Sequence, residues 1–114
     1  MPRAQIPATD LARIERYCRT ESPPQFRDQL RVEHHIRGKS VILCETRPPW
    51  DGHGAWTHFN IAQLRYRPES GDWSLHWSDR NSRWHPYEAG NVQFGSMATL
   101  LSEIDKDPTC IFRG

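Results

Sequence analysis

An α+β fold, with a helix near each end and an antiparallel sheet of about five strands between them, is predicted by three observations on this sequence. Residues 62–87 read as a three-strand meander divided by two turn signals, Arg67-Pro68-Glu69-Ser70-Gly71-Asp72 and Ser78-Asp79-Arg80-Asn81-Ser82-Arg83. Residues 30–47 read as a hairpin around Gly38-Lys39, with strict alternation in Leu30, Val32, His34 and Ile36 against Arg31, Glu33, His35 and Arg37. Apolar residues at helical spacing flank these strands on both sides, which gives helices segregated from an antiparallel sheet.

Taken in order, residues 1–7 read as a loose arm broken by Pro2 and Pro7. Thr9 or Asp10 is positioned to cap a helix carrying Leu11, Ile14, Tyr17 and Cys18 on one stripe. That helix must stop before Ser22-Pro23-Pro24, because a proline disfavours helical geometry in the residue before it. In the hairpin, a two-residue turn at Gly38-Lys39 sets Ile36 opposite Val41, His34 opposite Leu43 and Val32 opposite Glu45. Pro48-Pro49-Trp50 ends the return strand, and the next runs from Trp56 to Arg67. Phe59 and Ile61 differ in parity from Leu64 and Tyr66, which calls for a bulge near Asn60 or a strand covered on both faces.

Four-residue loops in the meander set Tyr66 opposite Trp73, Leu64 opposite Leu75, Trp77 opposite Trp84 and Leu75 opposite Pro86. This register makes Trp73, Trp77 and Trp84 core residues. It leaves His76, His85, Arg65, Arg83 and Tyr87 on the opposite, polar sheet face. A polar connection follows over residues 88–95. Ser96 then caps a second helix with Met97, Leu100, Leu101 and Ile104 on one stripe, stopped by Asp107-Pro108. Thr109 to Phe112 is apolar enough to pack against the sheet or a partner subunit.

The 114 residues suit a single domain, and 15 Lys plus Arg against 14 Asp plus Glu leave a formal charge of +1. So balanced a charge supplies no general attraction to nucleic acid or a membrane surface, and neither is expected as a partner. No apolar run has the length of a secretion signal or a bilayer span. The three cysteines are odd in number and lack a C-x-x-C pair, which points to a reducing cytoplasm.

Three segments carry a resemblance: Glu45-Thr46-Arg47-Pro48-Pro49-Trp50, the run from Trp73 through Trp84-His85 to Tyr87, and the stretch from Glu103 through Pro108 to Phe112. From about residue 28 onward the chain resembles the small bacterial proteins grouped as domain of unknown function 3024. The resemblance implies a bacterial single-domain protein and carries over no catalytic residue.

Several constellations have chemical potential. His76 and His85 fall opposite each other in this register, close enough to share an ion with a third ligand from His58 or Glu88, but no tight ligand motif accompanies them and neither a metal nor a cofactor is expected. The sequence holds no G-x-S-x-G, phosphate-cradling loop or dinucleotide fingerprint, so no catalytic residue is assigned. Glu45 and Arg47 share an apolar face with His34, and buried charges are rarely unpaired. Glu45, Arg47, His34 and Trp50 therefore form a candidate pocket. The leading expectation is a cytoplasmic binding or interaction module, with an unidentified protein or small ligand as partner. A homodimer through a sheet edge or the C-terminal segment is one form this could take. The alternative is a small enzyme acting at Glu45, Arg47 and His34.

Overall fold

Gly38 adopts a left-handed backbone at φ 58° and lets the chain reverse over two residues, which fixes the first hairpin. The computed structural model describes residues 6–26, 28–88 and 92–112. Strands β1 (Arg31–Arg37) and β2 (Ser40–Arg47) pair with Ile36 opposite Val41, His34 opposite Leu43 and Val32 opposite Glu45, as the alternation predicts. Strands β3 (Thr57–Arg67), β4 (Asp72–Ser78) and β5 (Trp84–Pro86) continue an antiparallel meander in the order β1-β2-β3-β4-β5. A short β6 (Phe94–Gly95) pairs with the free end of β4 beyond β5, which makes six strands in the sheet among the described residues. The residues around Phe94 read as connection in the sequence because a two-residue strand has no period to detect.

The expected bulge is present. Leu43 faces Ala62 and Cys44 faces Asn60, leaving Ile61 as the extra residue on β3. The bulge explains how Ile61 and Ala62, adjacent in sequence, both reach the core.

Helices α1 (Ala8–Thr20) and α2 (Met97–Lys106) cover one face of the sheet. The core between them gathers Ile14 from α1, Val41, Leu43, Leu64, Trp73 and Leu75 from the sheet, and Met97, Leu100 and Ile104 from α2. Ser96 caps α2 by accepting from the Thr99 N–H at 3.2 Å, and Asp107 closes it in the left-handed region at φ 47°. Phe112 then packs on Tyr87 with ring centroids 4.9 Å apart, so the chain end docks on its own sheet. Among the described residues no helix is long and apolar enough to cross a membrane.

Three expectations are corrected. Neither Thr9 nor Asp10 caps α1. The helix begins at Ala8 after Pro7 without a side-chain cap, and Asp10 instead accepts the Trp73 Nε1–H at 2.9 Å. Of the predicted arm, residues 1–5 lie outside the described residues, while Ile6 is buried in the core. The third correction reaches further. The first meander loop holds four residues, with Arg67 opposite Asp72, but the second holds five, from Asp79 to Arg83. The Asp79 carboxylate accepts the N–H groups of Asn81 at 2.8 Å and Arg83 at 2.9 Å, and Ser82 takes φ 63°. One added residue reverses the facing of everything after it. Trp77 therefore lies opposite His85, and Trp84 opposite Ser78 on the face away from the helices. Tyr87 turns into the core with no exposed surface.

Candidate functional site

The sheet face opposite the helices collects side chains by alternation along four strands, interrupted on β3 by the bulge. β1 sends Glu33 and His35 there, β2 sends Cys44 and Thr46, β3 sends His58, Gln63 and Arg65, and β4 sends Ser74 and His76. This is the predicted polar face in part. His76 and Arg65 belong to it, Arg83 sits exposed in the second meander loop, and His85 and Tyr87 lie on the helix side. The cross-strand His76–His85 pair consequently does not form. His85 stacks on Trp77 with centroids 4.7 Å apart and places Nε2 2.8 Å from Asp79 Oδ2. That contact, with the two loop N–H groups, holds the Asp79 carboxyl down at about 2.

His76 is buried, shares a 2.9 Å hydrogen bond between Nε2 and Ser74 Oγ, and leaves Nδ1 without a partner among the described residues. Burial, reinforced by the Arg65 charge, pushes its imidazole from 6.5 down to about 4. The ring is therefore neutral in the fold near pH 7. As pH falls below 6.5 the unfolded chain takes up a proton that the folded chain refuses until about 4, so stability falls across that window. Urea midpoints measured from pH 7 to pH 4 should drop less steeply in His76→Gln than in the parent chain. Parallel curves would mean that His76 is solvated.

Of the candidate pocket residues, Glu45 and Arg47 come together. Arg47 folds back on Glu45, with Nη2 2.7 Å and Nε 2.9 Å from the same Oε2, and its side chain keeps 58% of its surface exposed. An ion pair so open to water contributes at most about 1 kcal/mol. Trp50 is 97% exposed. His34 lies under α1, its Nδ1 3.8 Å from Cys18 Sγ. This Cys–His contact does not prepare a nucleophile, because burial together with the negative surroundings of Cys44 and Glu33 drives the Cys18 thiol up to about 12.

An open groove of about 440 Å³ runs between α1 and the outer edge of β1. Glu15, Cys18 and Arg19 form its helical wall, and Val32, His34 and Ser22 form its floor. At that floor the Val32 N–H donates to Ser22 Oγ at 2.7 Å, and the Ser22 hydroxyl donates back to the Val32 carbonyl at 3.3 Å. Ser22 thus occupies the edge at Val32. The next outward-facing backbone positions, His34 and Ile36, take no partner among the described residues. Ser22 entered the sequence reading only as a helix stop, since nothing local links it to a strand ten residues on. A second groove of about 380 Å³ separates Arg13, Arg16 and Tyr17 of α1 from Leu101 and Asp105 of α2. Neither groove is lined by Glu45, Arg47 or Trp50.

The sequence reading also passed over a cluster on the polar face. One ligand atom each from Glu33, Cys44 and His58 lies within 4.8 Å of the others. Glu33 and Cys44 are direct partners across β1 and β2, and His58 stands opposite Thr46, the second residue beyond Cys44 on β2. Nearby, the Arg31 guanidinium lies over the Trp56 ring at 4.4 Å.

Compared with known families, the chain matches the one described as Domain of unknown function (DUF3024) over residues 1–114. Comparison with curated proteins and with solved structures found no match.

Proposed function

The chain belongs to the family described as Domain of unknown function (DUF3024), and from that premise we propose that it is a small cytoplasmic protein-interaction module of a bacterial cell, working through the outer edge of β1. The observation that carries this reading is the β1 edge, where His34 and Ile36 take no partner among the described residues and His34 lines the groove beside α1. An extended segment laid there gains main-chain hydrogen bonds from the strand and side-chain contacts from the helix, the economy of strand addition. An exposed edge is otherwise a hazard, and among the described residues it is Ser22 that protects it, at Val32. Ile36, 47% exposed next to the turn, is apolar surface such a partner would cover. Free cysteines at 18, 44 and 110 accord with a reducing compartment.

The partner in this reading is a second copy of the chain. Antiparallel pairing that avoids Ser22 sets His34 opposite Ile36. The same register sets Glu33 opposite Arg37, and twofold symmetry repeats both pairs. An enzyme built on Glu45, Arg47 and His34 draws less support, since Arg47 is spent on Glu45 at the surface and His34 faces Cys18.

Sedimentation equilibrium across a concentration series tests the proposal. The parent chain should dimerise, and Ile36→Pro, which deletes an outward N–H, should be monomeric. Glu33→Arg and Arg37→Glu should each weaken the dimer, and the double reversal should restore it. A chain that stays monomeric at millimolar concentration, or reversals that do not rescue each other, would overturn the reading.

A further inference from the structure

We infer that Glu33, Cys44 and His58 form a binding site for a divalent transition-metal ion of zinc's class, held by one carboxylate, one thiolate and one imidazole. The three residues come from three neighbouring strands and converge on the same face, with their ligand atoms within 4.8 Å of one another. Ligands around a tetrahedral zinc stand roughly 3.5 Å apart, so closure onto an ion asks for a movement of about 1 Å. Exposed His58 and half-buried Glu33 can make that movement by side-chain rotation alone, while buried Cys44 stays fixed as the anchor.

The chemistry of the set is selective. Sulfur with imidazole nitrogen favours zinc, cobalt or copper over magnesium or calcium, which take oxygen ligands. Three protein ligands leave a fourth coordination position for water or an incoming group, and exposed His58 puts that position at the solvent rim.

A second observation points to the same occupant. Among the described residues, none of the three groups makes a hydrogen bond or ion pair. A half-buried carboxylate thus lies beside a buried thiol. A divalent ion there would take the Cys44 sulfur as thiolate, its proton leaving to solvent, and would neutralise the Glu33 carboxylate. The ion would also join β1, β2 and β3 across the bulge, where the ladder between β2 and β3 is interrupted. A carboxylate has about four lone-pair sites, so Glu33 can serve the ion and still face Arg37 of a second copy.

Cobalt(II) added to the full chain, freed of metal with a chelator, tests the site. One cobalt should bind per chain, with a thiolate-to-cobalt charge-transfer absorption in the near ultraviolet and visible bands of a four-coordinate ion. The charge-transfer band should vanish in Cys44→Ser and persist in Cys18→Ser and Cys110→Ser. Loss of an outer partner of a metal ligand already costs 10–100-fold in affinity, so His58→Ala, at an exposed position, should bind cobalt on the order of a hundredfold more weakly while keeping its circular dichroism. Glu33→Gln should weaken binding too, and zinc should displace cobalt from the parent chain. No uptake at millimolar cobalt would overturn the assignment. So would a charge-transfer band that survives in Cys44→Ser or disappears with exposed Cys110.

Discussion

Trp73→Ala should destabilise the chain by about 3–5 kcal/mol in urea unfolding, the range for removing a large aromatic from a close-packed core. Trp73 has no exposed surface, and its ring meets Tyr66 at 5.2 Å between centroids with the planes tilted by 54°. Its Nε1–H donates to Asp10 Oδ2 at 2.9 Å, tying the first turn of α1 to the middle of the sheet. The alanine variant therefore loses ring packing and the donor together, and Trp73→Phe separates the two. Phenylalanine keeps most of the volume and abolishes the donor, so its cost should be the worth of one hydrogen bond to a charged group, about 1.5–3 kcal/mol, and smaller than that of alanine. Asp10→Ala should be nearly additive with mutations elsewhere and strongly non-additive with Trp73→Phe, because the two remove the same bond. A loss below 1 kcal/mol for Trp73→Ala would place the ring outside the core and void the β3–β4 register.

The Asp10–Trp73 bond also marks where the sequence ceases to be readable. A cap signal is local, and Asp10 at the helix start satisfies it, yet the side chain is claimed by a residue 63 positions away. The first meander hairpin was legible because Gly71 supplies the left-handed residue that a four-residue loop can use, and apolar parity then fixes the rest. The second loop departs from the four-residue expectation because Ser82, a residue type with no strong preference for it, takes the left-handed position. Asp79 sustains that conformation through bonds invisible to a periodicity argument. The single added residue moved Trp84 off the helix face and brought His85 and Tyr87 onto it.

The metal-ligand cluster divides along the same line. Glu33 opposite Cys44 follows from the Gly38-Lys39 turn by counting, and was available to the sequence reading. His58 was not, because the bulge at Ile61 offsets β3 against β2 by an amount that parity suggests but cannot position. The β1 edge was likewise half legible. Its alternation is plain, whereas the Ser22 contact that leaves His34 and Ile36 as the open positions arises only when the turn after α1 swings back onto the strand.

Tyr87 should give the other large effect, about 3–5 kcal/mol on truncation to Ala. It is fully buried between Phe112 and α2, and its hydroxyl donates to Glu103 Oε2 at 2.8 Å. Glu103 is itself only 7% exposed, so the pair matters more than its single hydrogen bond suggests. Tyr87→Phe leaves the carboxylate buried without that donor and should cost about 1.5–3 kcal/mol. Replacing both partners by apolar groups removes the unsatisfied group, so Tyr87→Phe combined with Glu103→Leu should lose less than the two single changes added together. The pH dependence has a definite sign. Burial first, and the Glu103 contact after it, raise the Tyr87 hydroxyl above its usual 10. The stability tied to this group is complete below 10 and is lost as pH rises further, because the unfolded chain releases the proton first. Urea midpoints taken from pH 8 to pH 11 should therefore fall more steeply for the parent chain than for Tyr87→Phe. Identical slopes, together with strictly additive mutational losses, would mean that the hydroxyl is solvated and that Phe112 alone holds the C-terminal segment on the sheet.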